Sequence, residues 1–167
     1  MNEAVIHPAA ESAQRFFGKY RGVVTEVDAS TMRIKAKVPS VFGDTDSGWA
    51  LPCVPYAGDS VGFAFLPEVD SEVWIEFEAG NPSYPIWVGG FWLNKTVPSD
   101  ATDTVKAIVT QQHKILLDDD QDSITIQDSN GNSITLDSDG ITLTRGSQTV
   151  QVSDSEVNVN NGALEVM

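Results

Sequence analysis

Two stretches of the chain alternate apolar and polar residues, and they do so on different scales. Within 20–92 the alternating runs are six to nine residues long and are separated by Gly, Pro and Asp. "MRIKAKVP" (32–39) puts Ile34, Ala36 and Val38 on one face and Arg33, Lys35 and Lys37 on the other. "EVWIEFE" (72–78) sets Val73, Ile75 and Phe77 against Glu72, Trp74, Glu76 and Glu78. "YRGVVTEV" (20–27), "GFAFLP" (62–67) and "PIWVGGFW" (85–92) also read as strands. "GWALPCVPY" (48–56) is extended but broken by prolines, which suits an edge or a loop. Only "AAESAQRFF" (9–17) reads as a short helix. Five or six strands with turn residues between them fit a compact five-stranded barrel of the OB type.

Beyond 110 the runs shrink to triplets with an apolar residue at each end. They are Ile115–Leu117, Ile124–Ile126, Ile134–Leu136, Ile141–Leu143, Val150–Val152, Val157–Val159 and Leu164–Val166. Between them sit "DDDQD", "DSNGN", "DSDG", "RGSQ", "SDSE" and "NNG", residues that tolerate positive φ and bond their own backbone. Each triplet turns two apolar side chains to one face, and two per pass cannot build a core within one chain. Strands this short do not make a stable independent sheet, and repeats that cannot bury their own face must stack on something. One solution is a single-chain β-solenoid. The other winds several chains together so that inward triplets fill a shared axis. Seven triplets would give a solenoid only two or three coils with exposed ends. Three chains triple the material in each layer and satisfy strand edges between neighbours. At ~4.8 Å per pass, seven passes make a rod of roughly 35 Å.

Aromatic composition marks the boundary between these stretches. All four tryptophans (Trp49, Trp74, Trp87, Trp92) precede residue 93, and no Trp, Tyr or Phe follows. "LNKTVPSDATDT" (93–104) is polar, contains Pro and lacks a period, which reads as a linker. The expected division is an N-terminal arm at 1–16, an OB barrel at 17–94, a linker at 95–110 and a needle at 111–167.

The net charge is −14, with 24 acids against 10 bases, and residues 96–167 carry 12 of the acids but three bases. A nucleic-acid binder needs Lys and Arg to neutralise phosphates, so no nucleic-acid partner is expected, nor docking on anionic lipid. The single cysteine, Cys53, excludes an internal disulfide and fits the reducing cytosol. The N-terminus has no basic n-region and no apolar core, so synthesis in the cytoplasm without a signal peptide is expected. No apolar run approaches the ~20 residues that span a bilayer.

The segments "FGKYRGVV" (17–24), "RIKAKVPSVFG" (33–43), "GWALPCVPYAG" (48–58) and "FLPEVDSEVWIEFEAGNPSYPIWVGGFW" (65–92) resemble the OB domain of central spike proteins of contractile phage tails. This is the baseplate assembly protein V group, with relatives in type VI secretion and extracellular contractile injection systems. "ILLDDDQDSITIQDSNGNSITLDSDGITL" (115–143) resembles the triple-stranded intertwined β-helix that follows it in those proteins. The resemblance implies an all-β homotrimer incorporated in the baseplate of a phage tail or injection particle. A hub protein would lie above the OB domains, and the needle would be driven through the target's outer membrane. It implies a trimer core of Ile115, Leu117, Ile124, Ile126, Ile134, Leu136, Ile141, Leu143, Val150, Val152, Val157 and Val159. Some long spikes carry a lysozyme domain between OB and needle; here only a linker fills that place, so no enzymatic activity is expected. Some simple spikes end in a His-x-His iron site. This chain has only His7 and His113 and ends "GALEVM", so no metal or cofactor is expected. Leu164, Val166 and Met167 would instead offer a platform for a PAAR-type tip protein.

Competing chemistries rest on thinner patterns. Arg33, Lys35 and Lys37 with nearby aromatics form a basic strip, read as a solvated or protein-contacting face. Glu76 and Glu78 lack the buried acid that a glycosidase needs. Cys53 would need a His partner to act as a nucleophile and is read as a buried structural thiol. Counting from Asp128, positions six and twelve are Ser133 and Asp139, which breaks the EF-hand pattern. The main rival function is a β-solenoid carbohydrate-binding module at a fibre tip.

Overall fold

Two large sheets of opposite character, and one small hairpin, make up the strands of the chain, which divides into units Met1–Lys95 and Thr96–Met167. The computed structural model describes residues 14–93 and 97–166.

In the first unit β1 (Tyr20–Asp28), β2 (Arg33–Lys37), β3 (Leu51–Pro52), β6 (Glu72–Phe77) and β7 (Pro85–Gly90) form one sheet in the order β2-β1-β6-β7-β3. A small hairpin, β4 (Ala57–Gly58) with β5 (Val61–Gly62), lies between β3 and β6 in sequence, and a single helical turn, α1 (Pro39–Phe42), follows β2. The sheet closes on itself. Ala50, just before β3, exchanges backbone hydrogen bonds of 2.7 and 3.4 Å with Ile34 of β2. β3 in turn runs parallel to β7. The result is an OB-type barrel whose edges are paired off.

The alternation read from the sequence is what fills this barrel. Ile34, Ala36 and Val38 from β2 and its exit, with Val73, Ile75 and Phe77 from β6, are buried together with Val24, Ala50 and Trp87. Gly22 also faces inward, and a Cβ there would press on Ile75, Ala36 and Val38 at 3.2–3.3 Å. The Thr25 hydroxyl is buried without a partner, whereas Ser47 and Trp87 are satisfied. Ser47 Oγ accepts from the Ala36 amide at 3.0 Å and donates to the Gly48 carbonyl at 2.8 Å, and the Trp87 indole donates to the Met32 carbonyl at 3.1 Å. In β1 an extra residue interrupts the pairing between Val24 and Glu26, a bulge of the kind that lets a sheet curl.

Three expectations change here. "GFAFLP" forms no long strand: only Val61–Gly62 pair, and Phe63 and Phe65 stack on each other in solvent. With the Ile34–Ala50 bridge closing the barrel, no neighbouring strand is left for them. Of the segment read as a helix, 9–13 lie outside the described residues, and 14–17 are not helical. Phe16 instead donates its amide to the Gly80 carbonyl at 2.8 Å and packs its ring near Tyr20 and Phe77. Cys53 is exposed rather than buried, because it shares the outer face with exposed Leu51 while Pro52 and Val54 between and beyond them are half-buried.

The second unit is one antiparallel meander of eight strands, paired in sequence order. They are β8 (Val105–Val109), β9 (Lys114–Asp118), β10 (Ser123–Gln127), β11 (Ser133–Asp137), β12 (Gly140–Arg145), β13 (Gln148–Val152), β14 (Val157–Val159) and β15 (Leu164–Val166). Strand β8 lies within the stretch read as linker. Asx turns fix the loops: Asp118, Asp128 and Asp137 carboxylates each accept an amide two residues on, at 2.9–3.0 Å. None of the described residues of this unit is buried.

Candidate functional site

The register of the meander stacks the triplets into two straight columns. Residues directly opposite on neighbouring strands share a face. Ile126 faces Ile115 and Ile134; Leu143 faces Ile134 and Val150; Val159 faces Val150 and Leu164. The second column runs Leu117, Ile124, Leu136, Ile141, Val152, Val157 and, by register, Val166. The face between these columns on the far side of the sheet carries Leu116, Thr125, Thr135, Thr142, Gln151 and Asn158. One face of the sheet is therefore aliphatic and the other mostly polar.

The aliphatic face is uncovered. Ile124, Ile126, Ile134, Leu136, Ile141 and Leu143 are 38–46% exposed, and Leu117, Val152 and Val157 are likewise exposed. Ile115, Val150 and Val159 are half-buried. Ladder hydrogen bonds along the sheet are already made within the chain, so what is missing is an apolar cover. Burying the remaining surface is worth about 1 kcal/mol for each such side chain, summed over two columns in every copy. A single-layer sheet open on both faces has no other source of stability on that scale.

Sequence reasoning missed the top of the columns. Ile108 of β8 lies opposite Ile115 and extends the first column, while Lys106, opposite Leu117, heads the second. "VKAIV" hid this because its inward positions are a lysine and an isoleucine rather than an apolar pair. Lys106 pairs with Asp119 and also donates to the Asp103 carbonyl at 3.1 Å. Lys114, on the opposite face, pairs with Asp100 at 3.0 Å. At the other end Leu164 is exposed, while Met167 and the side chain of Val166 lie outside the described residues.

The other candidate groups do not assemble into a site. Lys35 pairs with Glu26 at 2.9 Å and sits 4.9 Å from the Trp49 ring, and Lys37 pairs with Asp44 at 3.5 Å. The two lysines of the basic strip are thus engaged within their own barrel wall. Glu76 pairs with Lys19, while Glu78 has left β6 for a helical turn. Among the described residues no group of three His, Cys, Asp or Glu is placed to hold a metal; His7 lies outside them. The Asp128 carboxyl is held below its usual range, chiefly by the Asn132 side chain, and Asp28 likewise by the Ser30 and Thr31 hydroxyls. Both are turn-stabilising carboxylates at the surface.

Comparison with known families accounts for both units. Residues 20–92 match the type VI secretion system/phage-baseplate injector OB domain. Residues 106–165 match the phage baseplate V C-terminal trimerisation domain. A search of curated proteins found no match.

Proposed function

Because this chain belongs to the baseplate spike protein V family, a structural component of phage tails and related injectors, we propose that it is the homotrimeric central spike of such a machine. In this reading its OB units cap the tube or baseplate hub, and its C-terminal sheets form an intertwined β-needle that pierces the target envelope. The observation that carries the reading is the uncovered pair of aliphatic columns. Three copies arranged about one axis bury them against each other. The trimer core consists of the twelve triplet residues from Ile115 to Val159, with Ile108 added above. Leu164, Val166 and Met167 form the end of the rod, on which a small PAAR-type tip protein seats.

The work is mechanical. A closed β-rod resists bending because displacing one layer breaks contacts in all three chains. Below Leu116 its outer face is Thr, Gln and Asn, which keeps most of the rod free of apolar patches. No enzymatic step and no nucleic-acid partner belongs to this role. The rival reading, a single-chain solenoid presenting a sugar site, finds no support in the strand order, in which every strand pairs with its sequence neighbours as a meander does. Particles assembled with Ile134→Asp test the proposal. Tubes and sheaths should form but lack the spike and fail to permeabilise target cells. Normal incorporation and permeabilisation would overturn it.

A further inference from the structure

The two edges of the meander carry opposite chemistry. At the edge beside Leu117, Ile124, Leu136 and Ile141 lie the turns spanning 118–122, 137–139 and 153–156, which hold eight carboxylates. Within the chain one of them forms an ion pair, Asp119 with Lys106. At the opposite edge lie the turns 110–113, 128–132, 146–147 and 160–163. Its charged groups are Lys114, which pairs with Asp100, Asp128, which is hydrogen-bonded by Asn132, and Arg145. The Arg145 guanidinium is exposed. It donates to the Asn132 side chain at 3.2 Å and makes no ion pair among the described residues. A cation without a carboxylate in a unit of 12 acids and three bases is an anomaly.

Symmetry supplies the missing partner. Three sheets placed around an axis with their aliphatic faces inward meet edge to edge, and rotation always sets one edge of a copy against the other edge of the next. We propose that the Arg145 edge of one copy docks on the acid-rich edge of a second copy, with Arg145 paired to the 137–139 turn of its neighbour. This turn opens the strand that Arg145 closes, so in level layers the two groups of adjacent copies come together. The inference rests on the trimer reading and adds what specifies its polarity. A copy inserted upside down keeps its aliphatic face inward but exchanges its edges. Acid-rich turns then meet acid-rich turns, and Arg145 is left on a seam whose turns hold one acid per copy, Asp128, already hydrogen-bonded by Asn132. The aliphatic columns are nearly uniform and cannot reject that arrangement, whereas like charges face to face can. The charged edges thus make the three chains parallel and gather all C-termini at one end.

Charge reversal in the full-length chain tests this. Arg145→Glu should dissociate in urea at least about tenfold faster than wild type at low salt. The gap should shrink to about twofold at 1 M salt, as screened pairs require. Adding Asp139→Arg to Arg145→Glu, which keeps the Asp137 carboxylate that fixes the turn, should bring the rate back to within about twofold of wild type. A second measurement does not depend on how the reversed chains fold. In a Cys53→Ala background carrying Asp139→Cys and Arg145→Cys, a short bismaleimide should link three chains covalently. The two positions lie about 20 Å apart along β12, too far to be joined within one chain. A trimer that yields no covalent species, and whose dissociation ignores the charge at 145, would overturn the edge pairing and leave the spike reading standing. A monomeric wild-type chain would overturn the spike reading itself.

Discussion

Ile134 of β11 and Leu143 of β12 stand directly opposite one another on the sheet, yet they remain 39% and 46% exposed. Contact across two strands covers only the flanks of these side chains. Their tips project off a sheet that has nothing above it. The need for other copies of the chain is written in that geometry.

Substituting Ile134 by Asp places a carboxylate in the middle of the first column. In a trimer three such groups would converge on one axis, out of water and without a counter-charge, a cost of several kcal/mol per ion. The expected product is a chain that stays monomeric while the barrel core, Trp87 included, remains folded. Light scattering and tryptophan fluorescence read the two halves of that statement separately.

Gly140 opens β12 with φ 122°, a value L side chains rarely adopt, and a Cβ there would collide with the Val152 carbonyl oxygen. Gly140→Ala is expected to cost at least about 2 kcal/mol through strain and displaced pairing of β12 with β13. The loss should appear as a lower unfolding midpoint of the trimer. An unchanged midpoint would mean that β12 and β13 are not in this register.

Ser47 is the one buried polar side chain that ties the loop before β3 to the barrel, through the Ala36 amide and the Gly48 carbonyl. Ser47→Ala leaves that amide without its acceptor and should destabilise the OB unit by about 1–3 kcal/mol. Denaturation followed at the tryptophans measures it.

Asp128 titrates below an ordinary carboxylate because its charged form accepts from the Asn132 side chain and from the Asn130 and Asn132 amides. The unfolded chain binds that proton at higher pH than the folded one. The turn's contribution is therefore complete above the ordinary value of 3.8 and is lost as pH falls through the depressed folded value. Asp128→Ala should lower stability at neutral pH and flatten its decline on acidification. A parallel decline in both proteins would contradict the assignment.

The barrel was legible because its period of two was long and clean. In "MRIKAKVP" and "EVWIEFE" every alternate residue is apolar, and Ile34, Ala36, Val38, Val73, Ile75 and Phe77 are all buried. The hairpin at 56–63 was not, because "GFAFLP" carries strand chemistry at a place where the Ile34–Ala50 bridge has already closed the sheet. Such closure is a tertiary fact with no local signal. The exposed Cys53 was missed because composition ranks a lone thiol as buried, whereas its place on the outer face beside Leu51 is set by the strand's alternation. In the second unit the triplets announced their strands, but not the strand that breaks the triplet pattern, β8, nor the division of charge between the two edges. That division depends on which turns fall on the same side, a property of the antiparallel order rather than of any single turn.

The most direct test of the account is the solution mass of the full-length chain, measured by light scattering before and after deletion of 105–167. The account predicts about three times the 18.0 kDa chain mass at full length, collapsing to a folded monomer once the sheet with its two aliphatic columns is removed. A full-length monomer would mean that the columns find their cover within one chain, and the trimeric spike would have to be abandoned.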